Sequence, residues 1–80
     1  MQIKLYTIAG CHNCENVKKF FDEMHMDYEE IDCDKNLEEV ISVMKLANRE
    51  ELPIIQYDNN NFILKFDIEN LKKFYKLYNN

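Results

Sequence analysis

The sequence predicts an α/β fold: a mixed four-stranded sheet with helices on both faces, in the chain order β-α-β-α-β-β-α. Three observations carry this expectation. Stretches rich in β-branched and aromatic residues fall at 3–8, 28–33, 53–57 and 62–65. Apolar residues recur at i, i+3, i+4 and i+7 in the segments between and after them. A helical crossover makes the first two strands parallel and right-handed, whereas the short turn Asp58–Asn61 makes the last two antiparallel.

Residues 3–8, Ile-Lys-Leu-Tyr-Thr-Ile, alternate apolar and polar until the last pair, and Gly10 ends that strand. Val17, Phe20, Phe21 and Met24 then mark one face of a helix that begins at Cys11 or Cys14 and ends at His25. Tyr28–Cys33 reads as a second strand. Asp34 or Asn36 caps a second helix with Leu37, Val40, Ile41 and Met44 on its buried face, fading near Asn48. Pro53 opens a third strand through Tyr57, a position where proline is tolerated. Asp58-Asn59-Asn60-Asn61 is a turn signal, because Asn and Asp accept positive φ. Phe62–Lys65 returns as the fourth strand. Asp67 caps a last helix with the stripe Leu71, Phe74, Tyr75 and Tyr78. Strand order does not follow from these patterns.

Eighty residues form one domain, residues 1–80, with no room for a second core. The net charge of −5 opposes nucleic-acid binding, which needs a surplus of Lys and Arg. No stretch is apolar for long enough to span a membrane, and Lys4 interrupts the short apolar N-terminal run that a secretory signal would need. The chain therefore reads as soluble and cytoplasmic, and its acidic surface suits a monomer. Three cysteines do not suit a secreted disulfide framework. In a reducing compartment a close Cys pair is more often catalytic or metal-binding than structural.

That pair is Cys11-His12-Asn13-Cys14, at the junction of the first strand and the first helix. The first amides of a helix lack intrahelical partners and carry partial positive charge, so a thiolate there is stabilised. Cys14, three residues on, reaches the sulfur of Cys11 and can release whatever Cys11 has attacked. Cys11 is thus the expected nucleophile and Cys14 the resolving thiol. His12 offers an imidazole that favours the thiolate when protonated, or is an exposed residue without chemistry. A zinc site would need four ligands, with Cys33, His12 and His25 as the remaining candidates; their positions make it a weak rival, and no metal is expected. Cys33 reads as a small buried hydrophobe in the second strand, with a regulatory thiol as its sharper alternative.

The stretches "KLYTIAGCHNCENVKKFF", "YEEIDCD" and "LPIIQYDNNNFILKFDIENLKKF" resemble a glutaredoxin from Lys4 to about Tyr78. The resemblance implies a thioredoxin fold and a cis Pro53 facing the cysteine pair. It implies that backbone groups of Leu52 pair with bound substrate, and that Asp67 contacts the amino group of glutathione. As a helix cap, Asp67 needs no ligand. The chain departs from the family at several places. His12-Asn13 stands between the cysteines in place of Pro-Tyr or Pro-Phe. Ile8 stands where a glutathione-binding Lys is common. Leu64-Lys65 or Lys65-Phe66 replaces a Gly-Gly pair, and Lys65 is either a substitute cation or a solvent-facing residue.

The expected function is a thiol–disulfide oxidoreductase that reduces protein or small-molecule disulfides by the dithiol mechanism. Cys11 and Cys14 are catalytic; His12, Leu52, Pro53 and Asp67 are the substrate-binding candidates. No cofactor is tightly bound. The reductant is external, either glutathione or thioredoxin reductase with NADPH, and the departures favour the second. Two alternatives stand beside this reading. One is a glutathione-independent redoxin that donates electrons to a specific reductase such as ribonucleotide reductase. The other is a non-catalytic thioredoxin-fold binding module.

Overall fold

Alternation along the first strand sorts its side chains onto two faces. In β1 (Ile3–Thr7), Ile3 and Leu5 enter one apolar cluster and Tyr6 enters another. The structure, a computed structural model, describes residues 1–80. After β1 come α1 (His12–Glu23), β2 (Glu29–Asp32), α2 (Leu37–Ala47), β3 (Ile54–Tyr57), β4 (Asn61–Ile63) and α3 (Ile68–Tyr78), the seven elements expected and in the expected order. The strands form one sheet in the order β2-β1-β3-β4. β1 runs parallel to β2, with Tyr6 opposite Ile31, and antiparallel to β3, with Leu5 opposite Ile55. β3 and β4 are antiparallel, with Ile55 opposite Ile63.

Helices cover both faces. Val17, Phe20 and Phe21 of α1 and Leu71 and Phe74 of α3 pack on Ile3, Leu5 and Ile55. The Phe74 ring lies 6.2 Å from Phe21 and 5.0 Å from Tyr57, so aromatic contact joins both helices to the sheet. On the other face, Val40 and Val43 of α2 pack on Tyr6, Ile31, Cys33 and Ile54. Cys33 is buried, as expected, but it lies one residue beyond β2, where its N–H donates to the Thr7 carbonyl at 2.8 Å. No helix is long and apolar enough to cross a membrane.

Several boundaries differ from the expectation, each for a local reason. The buried face of α2 is Val40 and Val43, with Met44 and Ala47 partly buried; Leu37 and Ile41 are exposed. The helix carries two overlapping apolar stripes, and the sheet takes the one with the smaller side chains, turned roughly 60° from the stripe that begins at Leu37. Asn36, not Asp34, stands at its N-cap, without a side-chain capping bond. β4 begins at Asn61 because Asp58 and Asn59 take positive φ (50° and 73°) and close the turn one residue early. Leu64 and Lys65 therefore lie outside the ladder. Pro53 precedes β3 instead of opening it, and β1 ends at Thr7, leaving Ile8 exposed. α1 stops at Glu23, and His25 (φ 54°) turns the chain toward β2.

Candidate functional site

The chain leaves β1 at Thr7 and passes through a turn in which Cys11 N–H donates to the Ile8 carbonyl at 3.3 Å. Gly10 makes this turn with φ 77°, a region that L side chains rarely adopt. Cys11 follows in extended conformation as the N-cap of α1. Its sulfur accepts the backbone N–H of Cys14 at 3.1 Å, in the way a Ser or Asp oxygen caps other helices. Its carbonyl accepts the Glu15 N–H at 3.2 Å, the first bond of the helix. Cys11 and Cys14 form a disulfide with their Cα atoms 5.2 Å apart. Cys14 is 1% exposed, whereas Cys11 is only partly covered. Incoming reagents thus meet the Cys11 sulfur first.

A polar chain holds this junction in place. Thr7 Oγ1 donates to Glu30 Oε2 at 2.9 Å, and Lys18 Nζ meets the same oxygen at 3.2 Å. Lys18 also pairs with Glu15 at 3.1 Å, and the hydrogen bond with Glu15 leads the causes that raise its pKa. The end of β1, the strand β2 and the first turns of α1 are thereby linked. Glu15 is the one acid in the first turn of α1, and its pairing with Lys18 lessens its repulsion of a thiolate at the helix start.

The Leu52 carbonyl lies against Cys11, although 41 residues separate the two. The Leu52 carbonyl oxygen is 3.8 Å from the Cys11 sulfur, Pro53 is fully buried, and the bond between Leu52 and Pro53 is cis, as the resemblance implied. The disulfide sulfur carries no hydrogen, so this is a contact; a reduced Cys11 would present an S–H donor to the same oxygen.

The structure does not bring the other two candidates to the pair by any hydrogen bond. His12 is the first residue of α1 and is exposed. Asp67 is exposed at the N-cap of α3, where one carboxylate oxygen accepts the Asn70 backbone N–H at 3.4 Å and the other accepts the Asn70 side-chain amide. The hydrogen bond from the Asn70 side chain is the leading cause that lowers the Asp67 pKa. Lys65 is exposed. No three His, Cys, Asp or Glu side chains gather into a group able to hold a metal ion.

One side chain bonded beside Leu52 escapes periodicity and motif. Arg49 donates from Nε to the Glu51 carbonyl at 3.2 Å and from Nη1 to the Leu64 carbonyl at 3.1 Å. Its available signal is compositional: it is the chain's only arginine and stands four residues before the only proline.

A thioredoxin-like fold with a Cys-x-x-Cys disulfide at the start of its first helix is what these elements make, and comparison with known proteins agrees. The glutaredoxin family model matches residues 3–63. The chain belongs to the glutaredoxin family. It is 28% identical over 57 residues to the gene 56 protein of Mycobacterium phage D29, covering 71% of this chain and 63% of that protein, so the match spans less than two thirds of that relative. The crystal structure of the thioredoxin-like protein BC3987 is similar at 26% identity with a TM-score of 0.77, covering 90% of this chain and 97% of that one. The glutaredoxin-like protein NrdH-redoxin from Escherichia coli shares the fold at 20% identity and TM-score 0.75, covering 91% of this chain and 93% of that one.

Proposed function

We propose that this protein is a thiol–disulfide oxidoreductase that reduces disulfides, those of proteins above all, by a dithiol mechanism. One observation carries the reading: the sulfur of Cys11 occupies the N-cap of α1, accepts the Cys14 N–H and is the more exposed of the pair. In the reduced protein the same N–H and the helix dipole favour the Cys11 thiolate. That thiolate attacks one sulfur of a substrate disulfide. The substrate S–S bond breaks, and the departing thiolate takes a proton from solvent. Cys14 then loses its proton and attacks Cys11, which releases the second substrate thiol and forms the Cys11–Cys14 disulfide. Two electrons have passed to the substrate. A thiol or dithiol reductant from outside restores the pair, and no tightly bound cofactor is required.

Leu52, its carbonyl 3.8 Å from the Cys11 sulfur, forms the wall against which a substrate chain lies, and the buried Pro53 backs it. Between the two reductants, thioredoxin reductase with NADPH suits the chain better than glutathione. Ile8 supplies no cation for a glutathione carboxylate, no Gly-Gly pair follows β4, and both Asp67 oxygens are engaged by Asn70.

Cys14→Ser is expected to trap a mixed disulfide with insulin, visible by mass spectrometry, and Cys11→Ser to abolish insulin reduction. Full activity of Cys11→Ser would sink the assignment. Turnover with NADPH and thioredoxin reductase, set against turnover with glutathione and glutathione reductase, identifies the reductant.

A further inference from the structure

The ladder between β3 and β4 stops at the pair Ile55–Ile63. Continued in register, it would set Lys65 opposite Pro53 and Phe66 opposite Leu52. Pro53 has no N–H to donate, so the sheet cannot be extended there by the usual bonds. Arg49 stands in this gap. Its Nε donates to Glu51 O at 3.2 Å and its Nη1 to Leu64 O at 3.1 Å, while its guanidinium carbon lies 5.6 Å from the centre of the Phe66 ring. Nη2 is 3.8 Å from the Glu51 carboxylate. The side chain keeps only 26% of its exposure, and the bond to the Leu64 carbonyl is partly shielded from water, whereas the bond to the Glu51 carbonyl is exposed. A planar fork with several donors can satisfy two carbonyls on different segments and stack on an aromatic face at the same time; an ammonium lacks the planar face and the fixed fork.

We infer that Arg49 is a positioning residue for disulfide exchange: it cross-links Glu51–Leu52–Pro53 to Leu64–Phe66, and so holds the Leu52 carbonyl 3.8 Å from the Cys11 sulfur and sets the width of the groove beside it. This rests on the oxidoreductase reading above. A protein substrate must lay its chain along Leu52 to present its disulfide in line with Cys11, whereas a small disulfide needs only the thiolate. Loss of the cross-link therefore penalises the large substrate more.

The test uses the full chain, reduced beforehand, with insulin and with bis(hydroxyethyl) disulfide as separate substrates. Arg49→Met is expected to lower the ratio of the two second-order rate constants, insulin over small disulfide, about tenfold, a fraction of the roughly hundredfold that a 1 Å misplacement of a reacting group can cost. Arg49→Lys is expected to recover less than half of that loss. An unchanged ratio, including a parallel fall of both rates, would overturn the inference, as would full recovery by lysine. Backbone 15N relaxation reads the cross-link without any turnover. Arg49→Met should lower the order parameters at residues 50–52 and 64–66 and not in the sheet centre, and unchanged order parameters there overturn the cross-link whatever the rates do. If the reduced wild-type protein reacts with neither disulfide, the oxidoreductase reading fails and the positioning role falls with it, while lowered order parameters in both segments of Arg49→Met show that the cross-link itself was not at fault.

Discussion

The backbone N–H of Cys14 donates to the sulfur of Cys11 at 3.1 Å, so one half of the disulfide caps the helix that buries the other half. This single contact makes the two thiols unequal. Cys11 has a stabilising donor and access to solvent; Cys14 has neither. In the reduced protein at neutral pH, Cys11 is expected to react with iodoacetamide at least about tenfold faster than Cys14. Peptide mapping after brief alkylation measures it, and equal labelling would contradict the assigned roles.

Phe74 joins three elements: α3 carries it, Phe21 of α1 lies 6.2 Å away, and Tyr57 of β3 lies 5.0 Å away. It is 1% exposed. Phe74→Ala removes a filled volume at the centre of one face and is expected to cost about 3–5 kcal/mol. Urea unfolding measures the loss, and a change below about 1 kcal/mol would mean that the site collapses without penalty.

Tyr6 donates its phenol proton to Gln56 Oε1 at 2.8 Å, and burial, followed by the charges of Glu39 and Glu29, raises its pKa to about 12. The unfolded phenol ionises near 10.0. Its contribution to stability is therefore complete below pH 10 and is lost as pH rises toward 12, because only the unfolded chain gains by ionising. Tyr6→Phe should cost about 1 kcal/mol at neutral pH. The gap between wild type and variant should narrow in alkaline unfolding curves; a constant gap would contradict the raised pKa.

Asp67 caps α3, and hydrogen bonds from Asn70 lower its pKa. A lowered carboxyl pKa contributes stability above the unfolded value, which is lost as pH falls through the lower native value. Asp67→Ala should lower Tm at neutral pH, with the difference from wild type steady down to about pH 4 and shrinking below it. Thermal melts across that range decide the point. A difference that grows on acidification would reverse the sign and sink the account. If Asp67 instead served glutathione, the variant would lose glutathione-dependent turnover while keeping its Tm.

The legible part of the site lay in short-range signals. The spacing of Cys11 and Cys14 and the place of Asp67 before its apolar stripe concern bonds within four residues, and both appear in the structure where the sequence puts them. The cis bond at Pro53 came from family resemblance, since no local pattern demands it. Periodicity puts Leu37 and Ile41 on the buried face of α2 and the structure exposes both, because periodicity marks apolar stripes but cannot choose between two that overlap. The hairpin slipped by one residue, because four turn-forming residues in a row leave the point of closure to backbone angles at Asp58 and Asn59.

Sequence alone determined the α/β class, the order of the seven elements and the placing of the cysteine pair at a strand-to-helix junction. Those features depend on side-chain periodicity, caps and turns, whose energies are settled between near neighbours. Only the tertiary structure decided the strand order β2-β1-β3-β4, the face that α2 buries, the approach of the Leu52 carbonyl to Cys11, and the Arg49 bridge from Glu51 to Leu64. These depend on which apolar faces can close over one sheet, and on contacts such as that between Cys11 and Leu52, 41 residues apart in the chain. No local pattern encodes them.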